Sequence, residues 1–510
     1  MTNNVDGVLE ERKSWRRIAL AAGALLLTML SWAFATPLGS THDEWFHLGS
    51  IWCANGVDGT DCLEFNEPGA PDPSSGMAYY TGVAAIEDGS CFIDSPAEAT
   101  RCKTAVASSY PANFGLYPST YYKVMNLFVS ENPTLSVLAM RTVNGLLSVA
   151  LLVGVLVLSK HRARLAWITG YVFTLLPMTM FFTVSVHPSG WAITGVGTSW
   201  IFLHNAITTG KEQKKKRYWS IALWAISTLL VFVSRYDAFM FLLFSNFVVV
   251  VVAFDVFRRV RVKYFVAAAV AGGLALYLTS RFNGMVSWIF DFPLKPQGEM
   301  TKTSTWISHW LVQTLWVPVQ SLGVEDLGQG LPGQYTVRLP GPVWVIGIAL
   351  LGGAMLISLI KPSIEQLVFL IITYLLIAFV ILSFNGRLER DLFNLSGRYV
   401  LPILSFTVGF SIFLSGNTFQ MMQIRNWRIV AVSLLTVAHA LSLHAVIETN
   451  VDGQSHSIEA IHLGPDAWWW VGLPFGPNFM VLVGSIAFTW FLVNVWSTFQ
   501  TVEFSHETNS

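Results

Sequence analysis

"ERKSWRRIALAAGALLLTMLSWAF", Glu11 to Phe34, decides which solvent this chain folds in. Four cations lead into a run, Ile18 to Phe34, without an ionisable group. A helix that crosses hydrocarbon needs about 20 mainly apolar residues, because each backbone N–H and C=O must find its partner inside the segment. The cationic flank resembles that of a signal peptide, but no small-residue cleavage site is clear and many further spans follow. The run is therefore read as an uncleaved first helix. The whole composition agrees: 53% hydrophobic, 12% charged, with 20 Trp and 35 Phe in 510 residues, which suits a polytopic membrane protein rather than soluble domains. A formal net charge of zero argues against a nucleic-acid partner.

Counting outward by the same rule predicts an all-α protein of about twelve transmembrane helices. Their limits are 17–36, 135–158, 165–184, 189–208, 218–234, 238–257, 264–281, 341–360, 364–384, 399–415, 428–447 and 477–498. With the N-terminus inside, "ERKSWRR", "KHRAR", "KEQKKKR", "FRRVRVK", Lys361 and "RNWR" all fall on the cytoplasmic side. These short connections hold 19 of the 31 Lys and Arg residues. Both termini are then cytoplasmic and three large loops, 37–134, 282–340 and 448–476, face outward. All four cysteines, Cys53, Cys62, Cys91 and Cys102, lie in the first of these loops. Four cysteines allow three pairings; the local one, Cys53 with Cys62 and Cys91 with Cys102, is expected, in an oxidising exterior. Their spacings are wide for a thiolate metal site.

Within the second large loop, "TSTWISHWLVQTLWVPV" places Trp306, Trp310, Leu311, Leu315 and Trp316 on one helical face, the pattern of a helix lying in the membrane interface. "AWWWVGLPF", Ala467 to Phe475, reads as an aromatic belt. Simple anchoring explains both segments as well as a lipid-substrate groove does. No internal repeat is evident, which weighs against an inverted-repeat transporter.

Polar groups beside the membrane sort to one side. Asp43, Glu44 and His47 follow the first helix; Arg141 and Asn144 lie just inside the outer end of the second. "SVHPSG" (185–190) joins helices three and four, "SRYDA" (234–238) joins five and six, and "LSGRYVLP" (395–402) enters helix ten. Charge near the membrane centre costs about 2.5–3.5 kcal/mol on the insertion scale, so repeated placement at one end points to a shared site. Arginines and inward-running helix N-termini together favour a phosphate-like anion. Each element also has a plain structural reading. Asp43 and Glu44 can be solvated loop carboxylates, Arg141 can pair with a neighbouring helix, Pro188 and Pro402 can start helices, and Arg235 and Asp237 can satisfy each other. "DEWFH" contains Glu-x-x-His, but Asp43 stands where a zincin needs histidine, so a metalloprotease is set aside. A divalent ion held by Asp43, Glu44 or His47 stays open.

"HDEWFH", "YPANFGLYPSTYY", "MRTVNGL", "SVHPSG" and "SGRYVLPIL", in that order, resemble the bacterial predicted-membrane-protein family called domain of unknown function twenty-one forty-two. That family looks like a branch of the GT-C glycosyltransferase superfamily. Two departures stand out: Ser189 replaces an acid that relatives often carry, and Arg235-Tyr236 replaces a Lys-Pro turn. The resemblance implies a multi-pass enzyme of the bacterial plasma membrane with its active site on the external face. It would move a sugar from a polyprenyl-phosphate donor to a cell-envelope glycan or lipid acceptor. Asp43 becomes the general base, Glu44 a second acid that orients the acceptor or a metal, and His47 a supporting hydrogen bonder. Arg398, Arg235 and Arg141 become phosphate ligands in that order, with Asn144, His187 and Tyr399 beside them. A transporter or flippase of a lipid-linked saccharide is the alternative; it should carry polar groups at mid-membrane depth and matched broken helices in both halves.

Overall fold

The first apolar run forms the membrane part of helix α1, Thr2–Phe34. In the computed structural model the described residues are 2–37, 39–41, 43–55, 62–64, 78–80, 117–175, 177–253, 303–324, 337, 339–385, 397–415, 425–452 and 474–497. Hydroxyls inside α1 bond back to the preceding turn, Thr28 to the Ala24 carbonyl and Ser31 to that of Leu27, so neither of these buried hydroxyls is left unpaired. A short helix α2 (Glu44–Trp52) follows, then α3 (Ser119–Asn126) and α4 (Pro133–Leu158). Asn132 caps α4 by accepting from the Leu135 N–H, and Pro133 begins it at the position where a missing N–H costs nothing. Between α2 and α3, strand β1 (Cys62–Glu64) pairs antiparallel with β2 (Ala78–Tyr80), Cys62 opposite Tyr80.

The expected third span is broken. Helix α5 (His161–Thr174) and helix α6 (Pro177–Val184) meet at 92°. Pro177 lacks an N–H and disfavours helical backbone before it, which ends α5 and redirects the chain. Helix α7 (Pro188–Thr208) is buried along nearly all of its length. It packs on α4, α6, on α8 (Lys214–Phe232), on α9 (Ala238–Ala253) and on α13 (Leu401–Leu414). Its many Gly, Ser and Thr residues suit that position, because small side chains let helices approach closely. A Cβ on Gly195 would fall 2.6 Å from the Ser227 carbonyl of α8, and one on Gly170 of α5 would meet the backbone of Gly409 in α13.

Helix α10 (Thr303–Val319) runs into a π-helical turn at Gln320–Val324. It exposes Leu311, Leu315 and Trp316 while burying Gln313 and Thr314; the side chains of Trp306 and Trp310 lie outside the described residues. The remaining helices are α11 (Gly341–Ser358), α12 (Ile364–Asn385), α14 (Arg425–Asp452) and α15 (Pro477–Ser497).

Among the described residues six helices are long and apolar enough to cross a membrane, or seven if α5 and α6 form one bent span. The chain is a multi-pass helical membrane protein; the described residues alone do not confirm a count of about twelve. The stretches expected at 189–208 and 218–234 are helices too polar to qualify, and those at 238–257 and 399–415 form helices of 16 and 14 residues. The stretch at 264–281 lies outside the described residues. So do residues 467–473 of the expected aromatic belt and the side chains of Cys62, Cys91 and Cys102, hence both expected disulfides.

Two ends of the helix assembly are chemically distinct. At one end Arg17 of α1 donates to the Ser497 carbonyl of α15, bringing the outermost helices' chain-terminal ends together. Asn205 of α7 bonds Ser159 after α4, Lys160 donates to the Thr208 carbonyl, and Arg162 donates to that of Phe413 at the end of α13. The opposite end receives the end of α1, the start of α4, the α6–α7 turn, the α8–α9 turn and the entry to α13. Those five segments form the site.

Candidate functional site

Chain geometry after α1 aims the first acid. Gly39 (φ 75°) and Asp43 (φ 55°) both adopt left-handed backbone, which Asp tolerates better than most residues. Asp43 stands at the N-cap of α2 yet makes no capping bond. Its carboxylate instead accepts from Nη1 of Arg398 at 2.8 Å, and Nε2 of His187 lies 4.0 Å from the same oxygen. At 23% exposure the Asp43 side chain is the most open of this group.

His187 is held by its own helix. Its Nδ1 accepts from the Ser189 N–H at 3.0 Å, capping α7. The ring proton of neutral His187 then sits on Nε2, the nitrogen that faces Asp43. Burial, with His47 as next contributor, pushes its pKa well below the ordinary value, so it remains neutral. His47 packs edge-on against His187 with centroids 4.4 Å apart and lies 3.0 Å through Nδ1 from the Tyr122 hydroxyl; Tyr117 closes its other edge. His47 therefore buttresses His187.

Arg235 and Arg398 both lie against the ring of Tyr399, at 4.6 and 5.2 Å from its centroid. Two guanidiniums this close are tolerated because each pairs with an acid, Arg235 with Asp237 and Arg398 with Asp43, and each also gains from the electron-rich π-system of Tyr399. Arg235 grips Asp237 with two bonds, 2.9 and 2.7 Å, and donates a third to Ser189 Oγ at 2.5 Å. Ser189 is thus an acceptor for arginine where the resemblance leads one to expect an acid, and Asp237 supplies the carboxylate from the adjoining turn. Arg398 is placed by Gly397, since a Cβ at 397 would fall on the backbone of Ser321 and Gln320 in the π-helical turn. Gly397→Ala is expected to push the Arg398 turn off that seat and to cost about 1–3 kcal/mol, seen as a lowered thermal midpoint of the purified protein.

Glu44 and Arg141 prove to be a structural clamp. Both are fully buried and their closest contact is 2.6 Å. Arg141 donates through Nε and Nη2 to the two Glu44 oxygens, and through Nη1 and Nη2 to the carbonyls of Ala33, Thr36 and Pro37. A guanidinium has five N–H bonds, and these five contacts use them all. Glu44 also accepts from the N–H groups of Gly39 and Val186. The pair fastens the frayed end of α1 to α4 and to the α6–α7 turn. Arg141 therefore has no donor left for a phosphate, and Glu44 has its oxygens committed. Asn144 is likewise occupied: its amide donates to the Ser185 carbonyl and its oxygen accepts from Trp191.

The structure thus brings together Asp43, His187, Arg235, Arg398 and Tyr399, with His47 behind them, and assigns Glu44, Arg141 and Asn144 to holding the frame. Sequence reasoning passed over Asp237, Ser189, Tyr117 and Tyr122 as working parts. The i, i+2 spacing of Arg235 and Asp237 and the aromatic run before α3 were the available signals. No group of three His, Cys, Asp or Glu arranged for a metal occurs among the described residues.

The model of the family described as predicted membrane protein, DUF2142, matches residues 26–407, well over half of the chain. The chain belongs to this family. Every site residue, from Asp43 to Tyr399, falls inside the DUF2142 match, whereas α14 and α15 lie beyond it. No curated protein and no solved structure matches the chain.

Proposed function

We propose that this DUF2142 protein is a membrane glycosyltransferase of GT-C type that uses a polyprenyl-phosphate sugar donor and an envelope glycan or lipid acceptor. The observation that carries the reading is the Asp43–Arg398 pair at 2.8 Å, with Arg235 lying against the same Tyr399 ring as Arg398. A partly open carboxylate beside two buried guanidiniums at one end of a helix assembly matches the needs of this transfer. The acceptor hydroxyl attacks the anomeric carbon, its proton passes to Asp43, and the anomeric C–O bond breaks with its electron pair leaving on the lipid phosphate. Arg398 and Arg235 stabilise the charge gathering on that phosphate. A phosphate arriving at Arg398 competes with Asp43 for the same guanidinium, so donor binding would free the carboxylate to face the acceptor.

The reading of a lipid-linked saccharide transporter keeps one favourable observation, the 92° break between α5 and α6 immediately before the site. One experiment separates them. Purified protein supplied with polyprenyl-phosphate sugars together with an envelope glycan or lipid acceptor should release the lipid phosphate in detergent, where no membrane exists to transport across. Arg398→Lys should weaken donor binding and Arg398→Ala should weaken it further, by about 2–3 kcal/mol for the desolvated charged contact. Absence of release with every donor tried, together with saccharide movement in sealed vesicles, would favour transport.

A further inference from the structure

The end of the molecule opposite the site carries an unbalanced cluster of charge. The connection into α8 presents Lys211, Lys214, Lys215, Lys216 and Arg217, all exposed, and Lys160 joins them through its bond to the Thr208 carbonyl. Among the described residues none of the ion pairs involves these six, and Glu212 is the one acid on the connection itself. Four of the cations form the first turn of α8, which has no acidic residue and no side-chain cap. That is the positive end of the helix dipole, where cations are disfavoured and an anion is favoured. The arrangement is thus electrostatically unfavourable in the chain alone.

The next turn shows what depth this cluster occupies. Tyr218 and Trp219 are 68% and 63% exposed, the pattern of aromatic side chains at a membrane interface. Beyond them Ile226, Leu229 and Phe232 are exposed while Ser220, Ser227, Leu230 and Val231 are buried, so α8 has one face for protein and one for lipid. Lys215 precedes Trp219 by four residues, about 6 Å of helix rise, which puts it just outside the aromatic pair, on the side where lipid headgroups would lie. Charges that merely orient a connection across the membrane need no such alignment.

We infer that the first turn of α8, with Lys160 and Lys211, is a binding surface for anionic phospholipid headgroups. The headgroup phosphate neutralises the cluster and meets the helix N-terminus, while the acyl chains lie along the exposed face of α8. The inference is independent of the glycosyltransferase reading.

The test uses the full chain in an uncharged detergent, with thermal unfolding followed as phosphatidylglycerol, phosphatidylcholine or inorganic phosphate is added. A ligand that binds the folded state alone raises the midpoint as its concentration passes its dissociation constant. Phosphatidylglycerol is expected to raise Tm by at least about 3 °C, phosphatidylcholine and inorganic phosphate to leave it unchanged. In K214Q/K215Q/K216Q the shift should fall by more than half, whereas K214R/K215R/K216R should keep it. Should the Gln variant not fold, salt serves on the wild type: raising NaCl from about 0.05 to 0.5 M should abolish the shift. An undiminished shift in the Gln variant or at high salt, or an equal shift from phosphatidylcholine, would overturn the proposal; an equal shift from inorganic phosphate would replace it with a free-anion site.

Discussion

Asp43→Asn is expected to lower turnover with a polyprenyl-phosphate sugar by 100-fold or more, about 3–5 kcal/mol of barrier, while the protein still folds and inserts. The amide keeps the size and an acceptor oxygen for Arg398 but takes up no proton at neutral pH. The same change removes the carboxylate that competes with the donor phosphate for Arg398. Donor affinity should therefore rise while the rate collapses, a split that a merely structural Asp43 would not produce. Steady-state kinetics and donor titration on one preparation read both. Turnover close to wild type would show that Asp43 is not the base and would leave the pair with Arg398 as a fold contact.

Arg141→Ala is expected to be the most destabilising single change at this end of the protein, by about 3–5 kcal/mol. It leaves the Glu44 carboxylate buried without its counter-charge and strips the carbonyls of Ala33, at the end of α1, and of Thr36 and Pro37, just beyond it, of their donor. Arg141→Ala combined with Glu44→Gln should recover part of the loss, because the second change removes the stranded charge. Thermal unfolding of wild type, both single variants and the double variant gives the coupling directly. If Arg141→Ala kept the wild-type midpoint and lost donor affinity alone, the clamp would be wrong and the original phosphate assignment would return.

Both expectations depend on which partner each charged group meets, and the residues differ in how far that could be read beforehand. Asp43 and Arg398 are 355 positions apart, yet both were singled out because charged residues beside apolar runs are costly and both fell at the same end. The plain reading of Arg141, pairing with a neighbouring element, was available but could not be ranked above a phosphate role. Only the five bonds around its guanidinium decide between them. Arg235 met both readings at once, gripping Asp237 while lying on Tyr399 beside Arg398. Asn144 looked like a site residue because it is polar at membrane depth, and its two partners, Ser185 and Trp191, come from a segment that sequence spacing does not place.

By itself the sequence determined the membrane setting, the helical class, the first helix and the segregation of charge to two ends, because these follow from local composition measured against hydrocarbon thickness. Tertiary structure alone decided which of the apolar stretches form unbroken helices long enough to cross. Helix α7 carries small and hydroxylated residues that look too polar for lipid and is surrounded by protein instead, so hydropathy along the chain misjudges it. Tertiary structure also sorted the site: Asp43, His187, Arg235, Arg398 and Tyr399 face one another, while Glu44, Arg141 and Asn144 turn their polar atoms into the frame. The reason is that a buried polar group must be satisfied by whatever lies within hydrogen-bond reach, and reach in space between five separate segments is set by helix packing and not by order along the chain.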